Sequence, residues 1–171
     1  DAIVLTQNAR VQKGLTDIPE LFENIKSNET ANRYGYRPIA LLSFATDVSL
    51  FGMDPGPAHK VNIVLYGILC ALILLFLRQL FPNNVWIVFW VAMLYAVHPL
   101  HSEVVANIKS RDEILSLLFG LGAIMFYRTA LVRSSLWFFV PSLGLFVLAF
   151  FSKESAVALC GVAALLPWFV D

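Results

Sequence analysis

Apolar residues gather into five runs along the chain after residue 60: Val61–Leu77, Val85–Val97, Ile114–Tyr127, Leu136–Phe151 and Ala156–Val170. Each is somewhat short against the roughly 20 residues of an upright membrane span, with the first and fourth comfortable. Arg78, Arg128 and Arg133 flank the runs and can lengthen them by snorkelling. Val85–Val97 is the weakest. It spans only if its helix continues past His98, in which case Pro99 kinks it. The alternative is a buried or re-entrant segment, which reverses the direction of everything after it. The pattern predicts an all-α membrane protein, a multispanning helical bundle.

The first 60 residues read differently, and divide the chain into a polar 1–60 region and a membrane region over 61–171. Asp1 to Asn8 alternates weakly, as short extended structure does. Asp17 to Ile25 predicts a short helix, with Asp17 at the N-cap and Pro19 in the first turn. Asn24 to Gly35 is loop-like and holds an Asn28-Glu29-Thr30 sequon, meaningful only in a eukaryotic secretory setting. Tyr36 to Phe51 predicts an amphipathic helix lying at the membrane interface. Its apolar side holds Ile39, Leu42, Phe44, Ala45, Val48 and Phe51, and its polar side Ser43, Thr46, Asp47 and Ser49. Met53 to Pro57 predicts a turn.

Composition strengthens the membrane reading. The chain of 171 residues is 58% hydrophobic and 14% charged, with a mean hydropathy of +0.73. Soluble domains carry about 25% charged residues. A formal net charge of zero gives no support for nucleic acid as a partner. Cys70 and Cys160 lie inside apolar runs and read as small hydrophobes. The chain opens without Met and stops after an apolar run, which leads us to expect a piece of a longer protein with a membrane anchor before residue 1.

Charge placement carries the functional signal. Residues 61–171 hold 11 charged side chains, and 7 of them fall in two breaks, His98 to Glu113 and Ser152 to Ser155. Ionisable groups in a membrane region usually mark a substrate path or a reaction centre. If five helices alternate in direction, both breaks lie on the side of the N-terminal segment. The opposite loops hold Arg78, Arg128 and Arg133 and no acid, which favours the cytoplasm for them. The three Lys and Arg of the breaks each have an acid close by, so we read them as a site and not as a topology signal.

Within the breaks, His98, His101 and Glu103 can bind a divalent metal, orient an acceptor hydroxyl or donate to phosphate; the plain alternative is capping of a helix end. Asp112 and Glu113 suit a helix N-terminus. Arg111 needs an anionic partner, either a phosphate or a nearby acid. Lys153 has the same two readings, with Glu154 or another acid as partner. Arg37 and His59 bracket the interfacial helix. Asp1, at the membrane face, is a candidate general base. The set suits a lipid-linked anion, with tails in the bilayer and phosphate held by Arg and Lys.

The ordered series Asp1 to Asn8, Tyr36-Arg-Pro38, His59-Lys-Val-Asn62, His98-Pro-Leu-His-Ser-Glu103, Lys109 to Leu115 and Ser152-Lys-Glu154 resembles the N-terminal membrane region of the transmembrane O-mannosyltransferases that carry C-terminal tetratricopeptide repeats. These belong to the multispanning GT-C glycosyltransferases, and the likeness is greatest to bacterial relatives. The resemblance covers nearly the whole chain. It implies roughly a dozen helices in the parent and a long first extracytoplasmic loop with interfacial helices and an acidic catalytic motif. Asp1 matches the end of that motif, so a preceding acid is expected outside this sequence. The resemblance further implies a polyprenyl- or dolichyl-phosphate sugar as donor and a protein or lipid hydroxyl as acceptor. Tetratricopeptide repeats would follow residue 171.

Together these readings give a lipid-phosphate-dependent glycosyltransferase moving a mannose-like sugar, as part of a larger protein. Asp1 is the expected catalytic residue. Arg37, Arg111 and Lys153 are the expected phosphate contacts, and His59, His98, His101, Glu103, Asp112 and Glu154 the expected substrate contacts. No cofactor is required, and a divalent metal is the lesser alternative. The expected location is the bacterial inner membrane, or the endoplasmic reticulum membrane in a eukaryote, with the active face extracytoplasmic. Two other classes fit less well. A transporter or flippase of an anionic lipid calls for polar groups at several depths. A non-catalytic membrane subunit calls for indifference to loss of Arg111 or Lys153.

Overall fold

A computed structural model describes residues 2–5, 8–22 and 35–169, and among these all regular structure is helical. Asp1 and the sequon at 28–30 lie outside the described residues. The N-terminal region holds three short helices, α1 (Ala2–Leu5), α2 (Ala9–Gln12) and α3 (Ile18–Phe22), then α4 (Pro38–Phe51). Residues 2–5 thus form a helical turn and not extended structure. Asn8 caps α2 by accepting from the Arg10 N–H at 3.1 Å. Val4, Val11, Leu21, Phe44 and Ala45 form a closed core with Ala58 and Ile108. The α4 helix therefore does more than lie at an interface. It packs under α1–α3 and over the membrane helices, with its ends set by Pro38 at N1 and by Gly52 at φ 73°.

Asp54 then caps α5 (Pro55–Leu80) by accepting from the Gly56 N–H at 2.9 Å. The expected turn is present at Met53 and passes from Pro55 into the first turn of a longer helix. At 1.5 Å per residue its 26 residues reach about 39 Å, enough to cross a bilayer. After a turn, α6 (Val85–Ala96) runs back; the chain breaks at Val97 and His98 and bends by 53° into α7 (Pro99–Ala106). A short 3₁₀ turn, Ile108–Ser110, leads into α8 (Arg111–Arg133). This helix has Asp112 and Glu113 in its first turn and Arg133 in its last, matching the helix dipole at both ends. The fourth run is α9 (Phe139–Ser152), and the fifth is a 3₁₀ segment, Glu154–Ala158, followed by α10 (Leu159–Leu165).

The directions follow from contacts between the helices. Near its start α8 reaches Ala58 and Asn62 of α5, and near its end Arg128 donates to the Gln79 carbonyl at 3.0 Å, so α5 and α8 run parallel. Ser142 of α9 donates to the Ala123 carbonyl at 2.8 Å and Lys153 meets Glu113, so α9 is antiparallel to α8. Asn107, just after α7, accepts from Asn62 near the start of α5 at 3.4 Å. The bent α6–α7 pair therefore carries the chain the full way back, and is a broken crossing instead of a re-entrant loop. The α10 helix rises again along α8: the bare backbone of Gly120 receives the Leu159 side chain, which a Cβ there would strike.

Among the described residues, two helices are long and apolar enough to cross a membrane, or three with the bent pair counted as one. Large apolar side chains face outward over the whole stack, and Trp86 and Trp137 project beside the turns after α5 and α8, at the end far from α1–α4. Exposed Trp at one level is the mark of a membrane–water boundary. The chain is an all-α integral membrane protein.

Candidate functional site

The site is built on the first turn of α8, where three consecutive residues reach three different parts of the fold. Arg111 is fully buried. Its Nε donates to Asn62 Oδ1 at 2.7 Å, Nη1 to Ser43 Oγ at 3.0 Å, and Nη2 to the Ala58 carbonyl at 2.9 Å. Nη1 also lies 2.6 Å from Asp47 Oδ2, and the guanidinium stacks over the Phe44 ring at 4.4 Å. Asp112, only 2% exposed, pairs with Arg37 and accepts from the Glu113 N–H at 2.8 Å. Glu113 pairs with Lys153 from the turn after α9. The N-terminal segment, the paired-histidine break and the lysine break thus meet at one end of the stack.

This geometry redistributes the expected roles. With every nitrogen of Arg111 engaged by protein and none of it exposed, it has no face to offer a phosphate; it is the ion pair with an acid that its sequence position also allowed. Its partner Asp47 is buried, although the amphipathic pattern put it on the polar side of α4. Asp112 is likewise enclosed by protein partners. Lys153 pairs with Glu113 and not with its exposed neighbour Glu154.

The two histidines separate. His98 is exposed and caps α7, its Nδ1 accepting from the Leu100 N–H at 3.3 Å. His101 turns inward. Its Nδ1 is 2.7 Å from the Tyr95 carbonyl and 3.0 Å from the Tyr66 hydroxyl. A carbonyl only accepts, so Nδ1 must carry the proton and Nε2 is left as the other polar atom of the ring. The Tyr66 hydroxyl also lies 3.0 Å from the Ala96 carbonyl, so it and His101 satisfy carbonyls that the helix break frees. Glu103 is exposed on α7, and His59 is half-buried in the first turns of α5 beside Ala58.

Between α5, the bent pair, α8 and the turn after α9 lies a cavity of about 370 Å³. Tyr66, Tyr95, His101, Glu113, Ser116 and Ser155 give it polar atoms, and leucines, alanines, a valine and an isoleucine supply the rest of its wall. Its size falls in the range of small-ligand pockets, about 300–1,000 Å³. Tyr66 and Tyr95 were not singled out in the sequence, and Glu113 was read there only as an acid suiting a helix N-terminus. The first two are hidden as aromatics within apolar runs, though a tyrosine hydroxyl inside such a run is itself a polar signal. Among the described residues no group of three or more His, Cys, Asp or Glu is placed to hold a metal ion, and both cysteines are free.

Comparison with known proteins bears on what this arrangement serves. No family model and no solved structure matches the chain. Curated proteins do. Over 151 residues it is 30% identical to the mouse protein O-mannosyl-transferase TMTC1, covering 82% of this chain and 16% of that protein. It is 31% identical over 143 residues to mouse TMTC2, covering 79% and 17%, and 24% identical over 162 residues to human TMTC3, covering 91% and 18%. The chain is homologous to protein O-mannosyl-transferases. It spans less than a fifth of the length of these relatives, so the likeness concerns one portion of them.

Proposed function

We propose that this chain forms the phosphate-holding side of a membrane glycosyltransferase site, which moves a mannose-like sugar from a polyprenyl- or dolichyl-phosphate donor to a hydroxyl on protein. The observation that carries the reading is the meeting of Arg37, Asp112, Glu113 and Lys153 at one end of the stack, beside a cavity that is polar at His101 and Glu113 and apolar beyond. An amphipathic donor needs that pairing of environments. The names of the relatives support the transfer chemistry and a protein acceptor.

In this reaction the acceptor oxygen bonds to the anomeric carbon from the face opposite the phosphate. The bond from that carbon to the phosphate oxygen breaks, and the lipid phosphate leaves with the electron pair. The hydroxyl proton passes to a carboxylate, for which Asp1 or an acid before it is the candidate. Lys153 and Arg37 hold the phosphate and offset the charge it gains on leaving. Arg111 is a positioning residue that fixes α8 against α4 and α5. His101 shapes the sugar pocket, with His98 and Glu103 on the same bent segment. We place this face outside the cytoplasm, with the three arginines Arg78, Arg128 and Arg133 on the cytoplasmic side.

The clustering of charge at one depth favours an enzyme over a carrier, which needs polar groups along a path. Sugar transfer from polyprenyl-phosphate mannose, followed in membranes, tests the reading. Lys153→Ala is expected to lower transfer by a hundredfold or so, the scale of one lost electrostatic contact in a transition state, and Lys153→Arg to retain part of it. Unchanged transfer in Lys153→Ala would remove the phosphate contact from Lys153.

A further inference from the structure

Three ion pairs surround the first turn of α8: Arg111 with Asp47, Arg37 with Asp112, and Lys153 with Glu113. Among the described residues, these three cations and three carboxylates balance. A phosphate that enters among them must therefore displace a carboxylate from a cation. The pairs differ in how readily they give way. Arg111 is closed in by Asn62, Ser43 and Ala58. Asp112 is nearly inaccessible and is held by a backbone N–H as well. In the third pair the side chains are 19% and 51% exposed, and the cation is a lysine, a compact charge on a flexible stem. Exposed pairs of this kind contribute little and open at little cost. Glu113 is also the one acid of the three that lines the cavity.

We propose that Glu113 is a substrate contact held in reserve: its carboxylate is latched to Lys153 until the donor's phosphate takes the lysine, and it then accepts a hydrogen bond from a sugar hydroxyl in the cavity. This rests on the reading of the site as a lipid-phosphate site and adds a residue and an order of events to it. A carboxylate is acceptor-only and can receive two hydroxyl protons at once, which suits a sugar ring. His101, Ser116 and Ser155 border the same space. A sugar without the phosphate cannot open the latch, so the sugar contact forms only around a complete donor. The device thus discriminates between the lipid-linked sugar and free sugar without a separate gate.

The test uses the full protein in membranes or lipid nanodiscs, with polyprenyl phosphate lacking any sugar as the binding probe and polyprenyl-phosphate mannose as the substrate. In Glu113→Gln the competitor for Lys153 is neutralised. Polyprenyl phosphate is expected to bind about two- to fivefold tighter, the worth of an exposed ion pair, while kcat for transfer falls about tenfold or more from the lost sugar contact. A residue that merely braced the fold would lower affinity and kcat together. Equal or weaker binding of the probe by Glu113→Gln, or an unchanged kcat, overturns the latch while leaving the donor site standing. A wild-type protein that binds no polyprenyl phosphate overturns the donor site and the latch with it. Should Glu113→Gln fail to fold, Glu113→Asp draws the carboxylate back by one methylene and is expected to give both changes in smaller measure; unaltered affinity in that variant overturns the proposal equally.

Discussion

The N-terminal cap and the helical stack below it dispose of their large apolar residues in opposite ways. In the cap, Val4, Val11, Leu21 and Phe44 are fully enclosed. In the stack the buried cluster is small, with Leu69, Ile114 and Leu121 at its centre, while Trp137 stands 85% exposed and Leu143 64%. One region has folded against water and the other for lipid, where apolar surface gains nothing from burial against another helix. The junction between the two solvents is where the charges sit. There the cap supplies Arg37 and Asp47, and the stack supplies Arg111, Asp112, Glu113 and Lys153.

The largest test of this junction is Arg111→Ala. It leaves Asp47 buried without its counter-charge and is expected to cost about 3–5 kcal/mol, read as a lowered unfolding temperature in detergent. A companion Arg111→Met, Asp47→Leu double variant removes both charges and is expected to recover most of the loss. If the single variant is as stable as the wild type, the buried node does not join cap to stack.

Next in size comes the difference of solvent itself. Leu143→Arg puts a charge on the outward face of α9 and is expected to oppose insertion by about 2.5–3.5 kcal/mol, measured as the membrane-integrated fraction. The same change at Leu15, exposed on the cap, is expected to leave insertion unaltered. Equal tolerance at both positions would mean that α9 faces water.

A smaller effect is expected at the helix break. Tyr66→Phe removes the hydroxyl that serves the Tyr95 and Ala96 carbonyls and meets His101. Leaving such a group unsatisfied costs about 1–3 kcal/mol. The change is expected as faster amide exchange around Val97–Leu100, with α5 and α8 unaffected. Unchanged exchange there would show that the bend is set by Pro99 alone.

Much of this was written in local pattern. The five apolar runs became α5, α6, α8, α9 and the last 3₁₀–α10 segment, because hydrophobic length is a local property. The break at His98-Pro99 was legible because proline restricts the residue before it and suits a helix start. Asp47 was not legible: the amphipathic count put it on a wet face, and only Arg111, 64 positions later, explains its burial. Glu113 looked like an acid serving a helix dipole, and nothing local ties it to Lys153. Pairings across such distances depend on how the helices stack, which their own periodicity does not encode.

The smallest expected effect isolates that last pairing. Glu154 adjoins Lys153 in sequence, and proximity along the chain makes it the natural partner. In the fold, Lys153 leads into the 3₁₀ segment in extended conformation and its ammonium meets Glu113 of α8, while Glu154 is exposed. Glu154→Gln is therefore expected to leave both the affinity for polyprenyl phosphate and the rate of sugar transfer within error of wild type. If Glu154→Gln instead tightened binding of the lipid phosphate as Glu113→Gln is expected to, the lysine would be answering to its neighbour, and the link between the turn after α9 and the first turn of α8 would not be what holds Lys153 at the site.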